Sequence, residues 1–169
     1  TGDDAESYSR CQGNYQHMKR VAAIIPNYNM PERTDALAEY IAKNVMWPVD
    51  VLVVDNGSDL KAPSQYTALR LDANVQTTGA WLMGLHYADA LARKAGEDYL
   101  AYWFLITSAE FLEGDPLSAM MEEFADEAVV GVHPRLTEDS TTSWGHLKQA
   151  GPTWMIDNIA SLYRAEWFD

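Results

Sequence analysis

Eleven residues, Val49–Asp59 (VDVLVVDNGSD), constrain the fold more than any other segment. A β-branched run reaches Asp55, and the chain then breaks into Asn56, Gly57 and Ser58. This pattern predicts a buried parallel strand whose carboxyl edge lines a crevice. An aspartate at such an edge can accept a hydrogen bond from a ribose hydroxyl or a base edge. The small residues after it let a ligand approach the backbone.

The flanking segments supply the rest of a sheet. Val21–Pro26 (VAAIIP) predicts a first strand that stops at Pro26. Pro31 and Glu32 suit the first turn of a helix, and Leu37, Tyr40, Ile41 and Val45 then share one face. Trp47-Pro48 ends that helix before the second strand, Val49–Val54. Tyr66–Leu71 is a weaker third strand. From about Gly79 to Ala95 a second helix carries Trp81, Leu85, Ala88, Ala92 and Ala95 on one face, with Gly96 as its stop. Tyr99–Ile106 (YLAYWFLI) is continuously apolar and predicts a central strand buried on both faces. Leu117, Met120, Met121 and Phe124 mark a further helix, and Val129–Val132 a further strand. The order β-α-β-β-α-β-α-β predicts an α/β protein, with a mostly parallel central sheet and helices on both faces. Residues 1–19 read as a polar, irregular arm and 20–135 as the α/β domain. Residues 136–169 read as a less regular continuation of it, holding Trp144, Trp154 and Trp167.

Composition removes several classes of function. With 25 acidic against 12 basic residues the net charge is −13, which disfavours nonspecific binding to nucleic acid or anionic membranes. Cys11 is the single cysteine, so no internal disulfide forms, and a reducing, cytoplasmic setting is expected. His17, His86, His133 and His146 are too scattered for a zinc site. No apolar run approaches the ~20 residues of a transmembrane helix. The G-x-G-x-x-G, G-x-x-x-x-G-K-[ST] and G-x-S-x-G patterns are absent, which disfavours a Rossmann dehydrogenase, a P-loop enzyme and an α/β-hydrolase.

Ligands of open parallel sheets bind beyond the carboxyl ends of the strands. That rule groups Pro26-Asn27-Tyr28-Asn29, Asp55-Asn56-Gly57-Ser58 and Thr107-Ser108-Ala109-Glu110. Tyr28 is suited to stack on a base, Asp55 to accept from base or ribose, and Asn29 to order its loop or contact the ligand. The same residues also make ordinary turns and helix caps, so a ligand site and a braced loop both stay open at this point.

Taken together, these segments resemble the nucleotide-binding half of family 2-type glycosyltransferases with the GT-A (nucleotide-diphospho-sugar transferase) fold. Ala23–Glu32 (AIIPNYNMPE) is similar to the family's opening strand and proline-x-tyrosine-asparagine turn. Val51–Asp59 is similar to its second strand and D-x-G-S turn, and Asn74–Ala88 (NVQTTGAWLMGLHYA) to its Asn-to-Gly helix, with Gly79, Gly84 and Ala88 in register. The resemblance covers about residues 20–135, with weaker echoes to Asp169. It implies that Pro26, Tyr28 and Asp55 contact the nucleoside of a sugar nucleotide. It implies also that Gly57 and Ser58 shape the pocket, that Asn29 braces the loop and that Gly79 admits the donor. The partners it implies are a nucleotide-sugar donor and a glycan or other hydroxyl acceptor, with residues 136–169 starting the acceptor side. The oligomeric state stays open.

The departures bear on catalysis. The family's turn after the central strand carries aspartate and holds manganese or magnesium against the donor diphosphate. Here Ala109 stands where that aspartate is expected, and Glu110 is one position off. Gln76 and Leu82 replace a customary glycine and asparagine. No residue is identified as the catalytic base, since Asp157 and Glu166 are not placed over an acceptor. Arg33, Arg70 and Arg135 are basic groups available in place of a metal. Two readings follow: an inverting glycosyltransferase, or an inactive GT-A-like module that binds a sugar nucleotide, a glycan or a protein partner. A nucleotidyltransferase of similar fold fits less well, because Asn27–Arg33 is not a Gly-rich basic loop.

Overall fold

A computed structural model describes residues 19–112, 114–137, 148–149, 151–153 and 159–168. Cys11, Trp144, Trp154 and Asp157 lie outside these residues. Strands β1 (Val21–Asn27), β2 (Val49–Asp55), β3 (Thr67–Arg70) and β4 (Ala101–Leu105) run parallel to one another. Helices α1 (Pro31–Asn44) and α2 (Gln76–Ala95) connect them, and α3 (Pro116–Glu122) follows β4. Two further strands, β5 (Gly131–Val132) and β6 (Ala160–Arg164), complete a six-stranded sheet ordered β3-β2-β1-β4-β6-β5.

The sheet is mixed, which corrects the expectation of a mostly parallel one. β6 runs antiparallel to both β4 and β5 and fills the edge of β4 opposite β1. Its sequence, ASLYR, holds too few apolar residues to register as a strand by periodicity. What makes it a strand is the unpaired edge of β4, whose five residues are all buried and need partners for their backbone groups.

Side-chain alternation sorts the core into two layers. Val21, Ala23, Ile25, Val53, Ala101, Trp103 and Leu105 face Leu37 and Ile41 of α1 and Leu117, Met120 and Met121 of α3. Ala22, Ile24, Leu52, Val54, Tyr102 and Phe104 face Ala80, Trp81, Leu85 and Ala88 of α2. β4 feeds both layers, as its unbroken apolar run predicts. Helix α2 begins at Gln76, three residues before the expected Gly79, and ends at Gly96 in the left-handed conformation (φ 71°). Ala95 is exposed rather than part of its buried face.

Gly84 sets how closely α2 lies on the sheet. A Cβ there would sit 2.4 Å from Ile24 Cγ2 and 3.0 Å from Val54 Cγ2, and both neighbours are buried, stiff β-branched side chains. Gly84→Ala therefore lowers stability by about 1–3 kcal/mol, read from the urea midpoint.

At the amino edge of the strands, Arg20 Nε donates to Asp50 Oδ2 at 2.7 Å, Arg20 Nη2 donates to Asp50 Oδ1, and Tyr99 Oη donates to Asp50 Oδ2 at 2.9 Å. Burial pushes the Asp50 carboxyl up, but the hydrogen bonds from Arg20 and Tyr99 outweigh it and hold the group below the usual carboxylate range. A native pKa below the unfolded one stabilises the fold above about pH 4, and that contribution is lost as pH falls through the native value. Stability measured by urea denaturation between about pH 6 and pH 2 therefore falls less steeply in Asp50→Asn than in the wild type.

Candidate functional site

The register of β1 on β2 ends with Asn27 beside Asp55. Alternation turns both side chains toward the α1 layer, and both are fully buried. Asn27 Nδ2 donates to Asp55 Oδ1 at 3.0 Å, and Ser58 Oγ donates to the same oxygen at 2.6 Å. On its other side, Asn27 Oδ1 accepts from Met30 N (3.2 Å) and Thr34 Oγ1 (3.0 Å), which ties the start of α1 to the strand end. Asn27 was part of a grouped segment in the sequence and had no role of its own. It proves to be the hub that fixes Asp55, and its signal was its place opposite Asp55 at the end of an adjacent strand.

Asp55 has two unlike oxygens. Oδ1 accepts from Asn27 and Ser58, whereas the buried Oδ2 accepts no hydrogen bond. Arg70 Nε stands 3.3 Å from Oδ2, close enough for an ion pair but without hydrogen-bond alignment. Arg70 Nη2 instead donates to the Ser58 carbonyl at 3.3 Å. A buried acceptor left unfilled costs about 1–3 kcal/mol, so Oδ2 is a position where an incoming N–H or O–H donor gains free energy.

Asn29 braces the loop after β2. It adopts the left-handed conformation (φ 56°), which asparagine tolerates. Its Oδ1 accepts from the backbone N–H groups of Asp59 (3.2 Å), Leu60 (2.9 Å) and Lys61 (3.2 Å). Its own N–H donates to Ser58 Oγ at 2.9 Å. Its Nδ2 donates to Asp59 Oδ1, and this bond holds the Asp59 carboxyl below its ordinary pKa. Tyr28 is 40% exposed beside this loop. Pro26 is buried in β1 beyond the last β1–β4 pair, Ile24 with Phe104, where a missing N–H is tolerated.

A third segment closes the rim. Buried Asn56 donates through Nδ2 to Asn74 Oδ1 (3.0 Å) and the Gln76 carbonyl (3.3 Å), and its Oδ1 accepts from Val75 N (2.9 Å). Gln76 is held in the left-handed region (φ 65°), a strained conformation at the start of α2. Gly79 lies in the first turn of α2, where a Cβ would meet Val75 Cγ2 at 2.9 Å. Leu82 is exposed. Gly57 has φ 71°, and a Cβ on it would lie 2.6 Å from the Ala73 carbonyl carbon. Backbone cannot yield as a side-chain tip can, so Gly57→Ala lowers stability by about 2 kcal/mol or more, measured by chemical denaturation.

The turn after β4 does not gather carboxylates. Ala109 is buried in the apolar cluster that includes Leu37 and Leu117, with its N–H on the Ile106 carbonyl at 3.0 Å. A carboxylate in its place would lose its water without gaining a cation-facing position. Glu110 and Ser108 are exposed, and Thr107 Oγ1 donates to Met30 Sδ at 3.7 Å. Among the described residues, no three His, Cys, Asp or Glu side chains come together as a metal site. A hard divalent cation needs several oxygen ligands, so the donors of this turn do not fit manganese or magnesium. Glu166 lines a depression at the amino edge with Lys19 and Tyr99, at the opposite end of the sheet from Asp55.

The fold is glycosyltransferase-like. Among solved structures, it is similar to the mannosyltransferase PcManGT from Pyrobaculum calidifontis, in complex with GDP-Man and Mn2+, with a TM-score of 0.65 at 15% identity. The match covers 96% of this chain and 52% of that one, so the chain spans about half the length of the protein it matches. No family model matches the sequence, and no curated protein matches it. Among the described residues, no helix is long and apolar enough to cross a membrane.

Proposed function

We propose that this chain is the nucleotide-sugar-binding part of a glycosyltransferase of the GT-A, family 2-like type, with the nucleoside seated at the carboxyl ends of β1 and β2. The observation that carries this reading is the buried, unfilled Oδ2 of Asp55. A nucleobase presents N–H donors on its edge, and a ribose presents hydroxyls. Either satisfies an acceptor whose other oxygen is already committed to Asn27 and Ser58. Tyr28 supplies an exposed aromatic face on the same rim, and base–aromatic stacking is worth about 1–3 kcal/mol. GDP-Man, present in the complex of the structurally similar mannosyltransferase, is a molecule of this class.

Ala109 favours a second reading on the same site: recognition of a sugar nucleotide without transfer. Its place in the apolar core removes the carboxylate that would recruit a metal to the leaving diphosphate. Both readings share nucleotide binding, so that is what is tested first.

UDP, GDP and CDP are titrated by calorimetry, with and without manganese. At least one binds, and Asp55→Asn weakens it by about 10- to 100-fold. The variant keeps an oxygen for Asn27 and Ser58 but turns the unfilled acceptor into a donor. Failure of all three nucleotides to bind sinks the reading. Product formation from a bound donor separates transfer from recognition alone.

A further inference from the structure

We infer that Arg33 supplies the positive charge at the diphosphate end of the crevice that the 107–110 turn is not equipped to recruit as a metal ion. This rests on the nucleotide-sugar reading and adds a residue to it. The position of Arg33 follows from its neighbours on α1. One turn before it, Met30 accepts from Thr107 Oγ1. One turn after it, Leu37 packs in the cluster that holds Ala109. Two turns after it, the Tyr40 ring stacks on Phe111 with centroids 5.7 Å apart, and Tyr40 Oη donates to the Gly114 carbonyl at 2.9 Å. Positions three and four apart share a helix face, so Met30, Arg33, Leu37 and Tyr40 form one stripe against the segment after β4. Arg33 is the exposed member of its helical part, in the first turn of α1, at the carboxyl edge of the sheet.

Charge pairing singles it out further. Lys61 is engaged by Glu32 at 2.9 Å, and Arg70 by Asp55. Arg33 has no ion pair among the described residues. Arg135 follows β5, which is separated from β4 by β6, so it lies roughly 10 Å to the side of the turn. A guanidinium presents paired N–H donors that match two phosphate oxygens, and it needs no carboxylate ligands to stay in place.

The test is calorimetry in excess chelator with uridine, guanosine, UDP and GDP, on the wild type, Arg33→Gln, Arg33→Lys and Arg135→Gln. Thermal melts confirm that each variant is folded. The wild type binds a diphosphate at least about tenfold more tightly than its nucleoside with no metal present. Arg33→Gln closes that gap and leaves nucleoside affinity unchanged, Arg33→Lys restores part of it, and Arg135→Gln behaves as the wild type. A gap that appears only with manganese, survives Arg33→Gln, or is lost in Arg135→Gln overturns the role of Arg33 while the crevice reading stands. If neither nucleoside nor diphosphate binds, the crevice reading fails and the role of Arg33 with it.

Discussion

A carboxylate taken out of water has to be given donors, and the upper edge of this sheet is arranged around that requirement. Asn27 and Ser58 satisfy one oxygen of Asp55, and each is itself fixed by a second partner: Thr34 and Met30 for Asn27, the Asn29 N–H for Ser58. The end of β1, the start of α1 and the loop after β2 are thereby locked into one unit. Because the polar network is nearly complete, the missing hydrogen bond at the buried Oδ2 is a localised feature of a rigid strand edge and not slack in a loose one.

The same unit explains the division of labour along the rim. Asn29 spends its side chain on three backbone N–H groups, and Asn56 ties in the segment that starts α2. Residues that look like ligand contacts in a motif are in good part scaffolding. Ser58 is almost wholly buried and bonded on both sides, so its contribution is to hold Asp55 and the Asn29 turn. Tyr28 is the exposed residue of this rim, and Asp55 Oδ2, buried 3.3 Å from Arg70 Nε, is the acceptor that its network leaves without a hydrogen bond.

Much of this was legible in the sequence. β1, β2 and β4 carry apolar runs long enough to declare themselves, and Gly96 stops α2 where a left-handed residue is needed. β6 was not legible, since its five residues become a strand only through the edge they cover. The start of α2 was misplaced because Gln76 enters it through a strained backbone held by Asn56, a tertiary effect that no local propensity reports. At the site, Asp55 stood out by its position at the end of a β-branched run. Asn27 and Arg70 did not, because their roles depend on strand register: Asn27 opposite Asp55 on one side, Arg70 opposite it on the other.

The antiparallel insertion of β6 also governs how the chain must assemble. β4 is the most apolar strand of the sheet, and one of its edges is covered by residues 160–164. Between the two, the described residues add only the two-residue β5 to the sheet. While the polypeptide emerges from the ribosome, that edge stays bare until residues 160–164 have been made. Non-local closure of this kind is slow, and a bare apolar edge is a template for pairing with another chain. Vulnerability to aggregation during synthesis is thus written into the strand order itself.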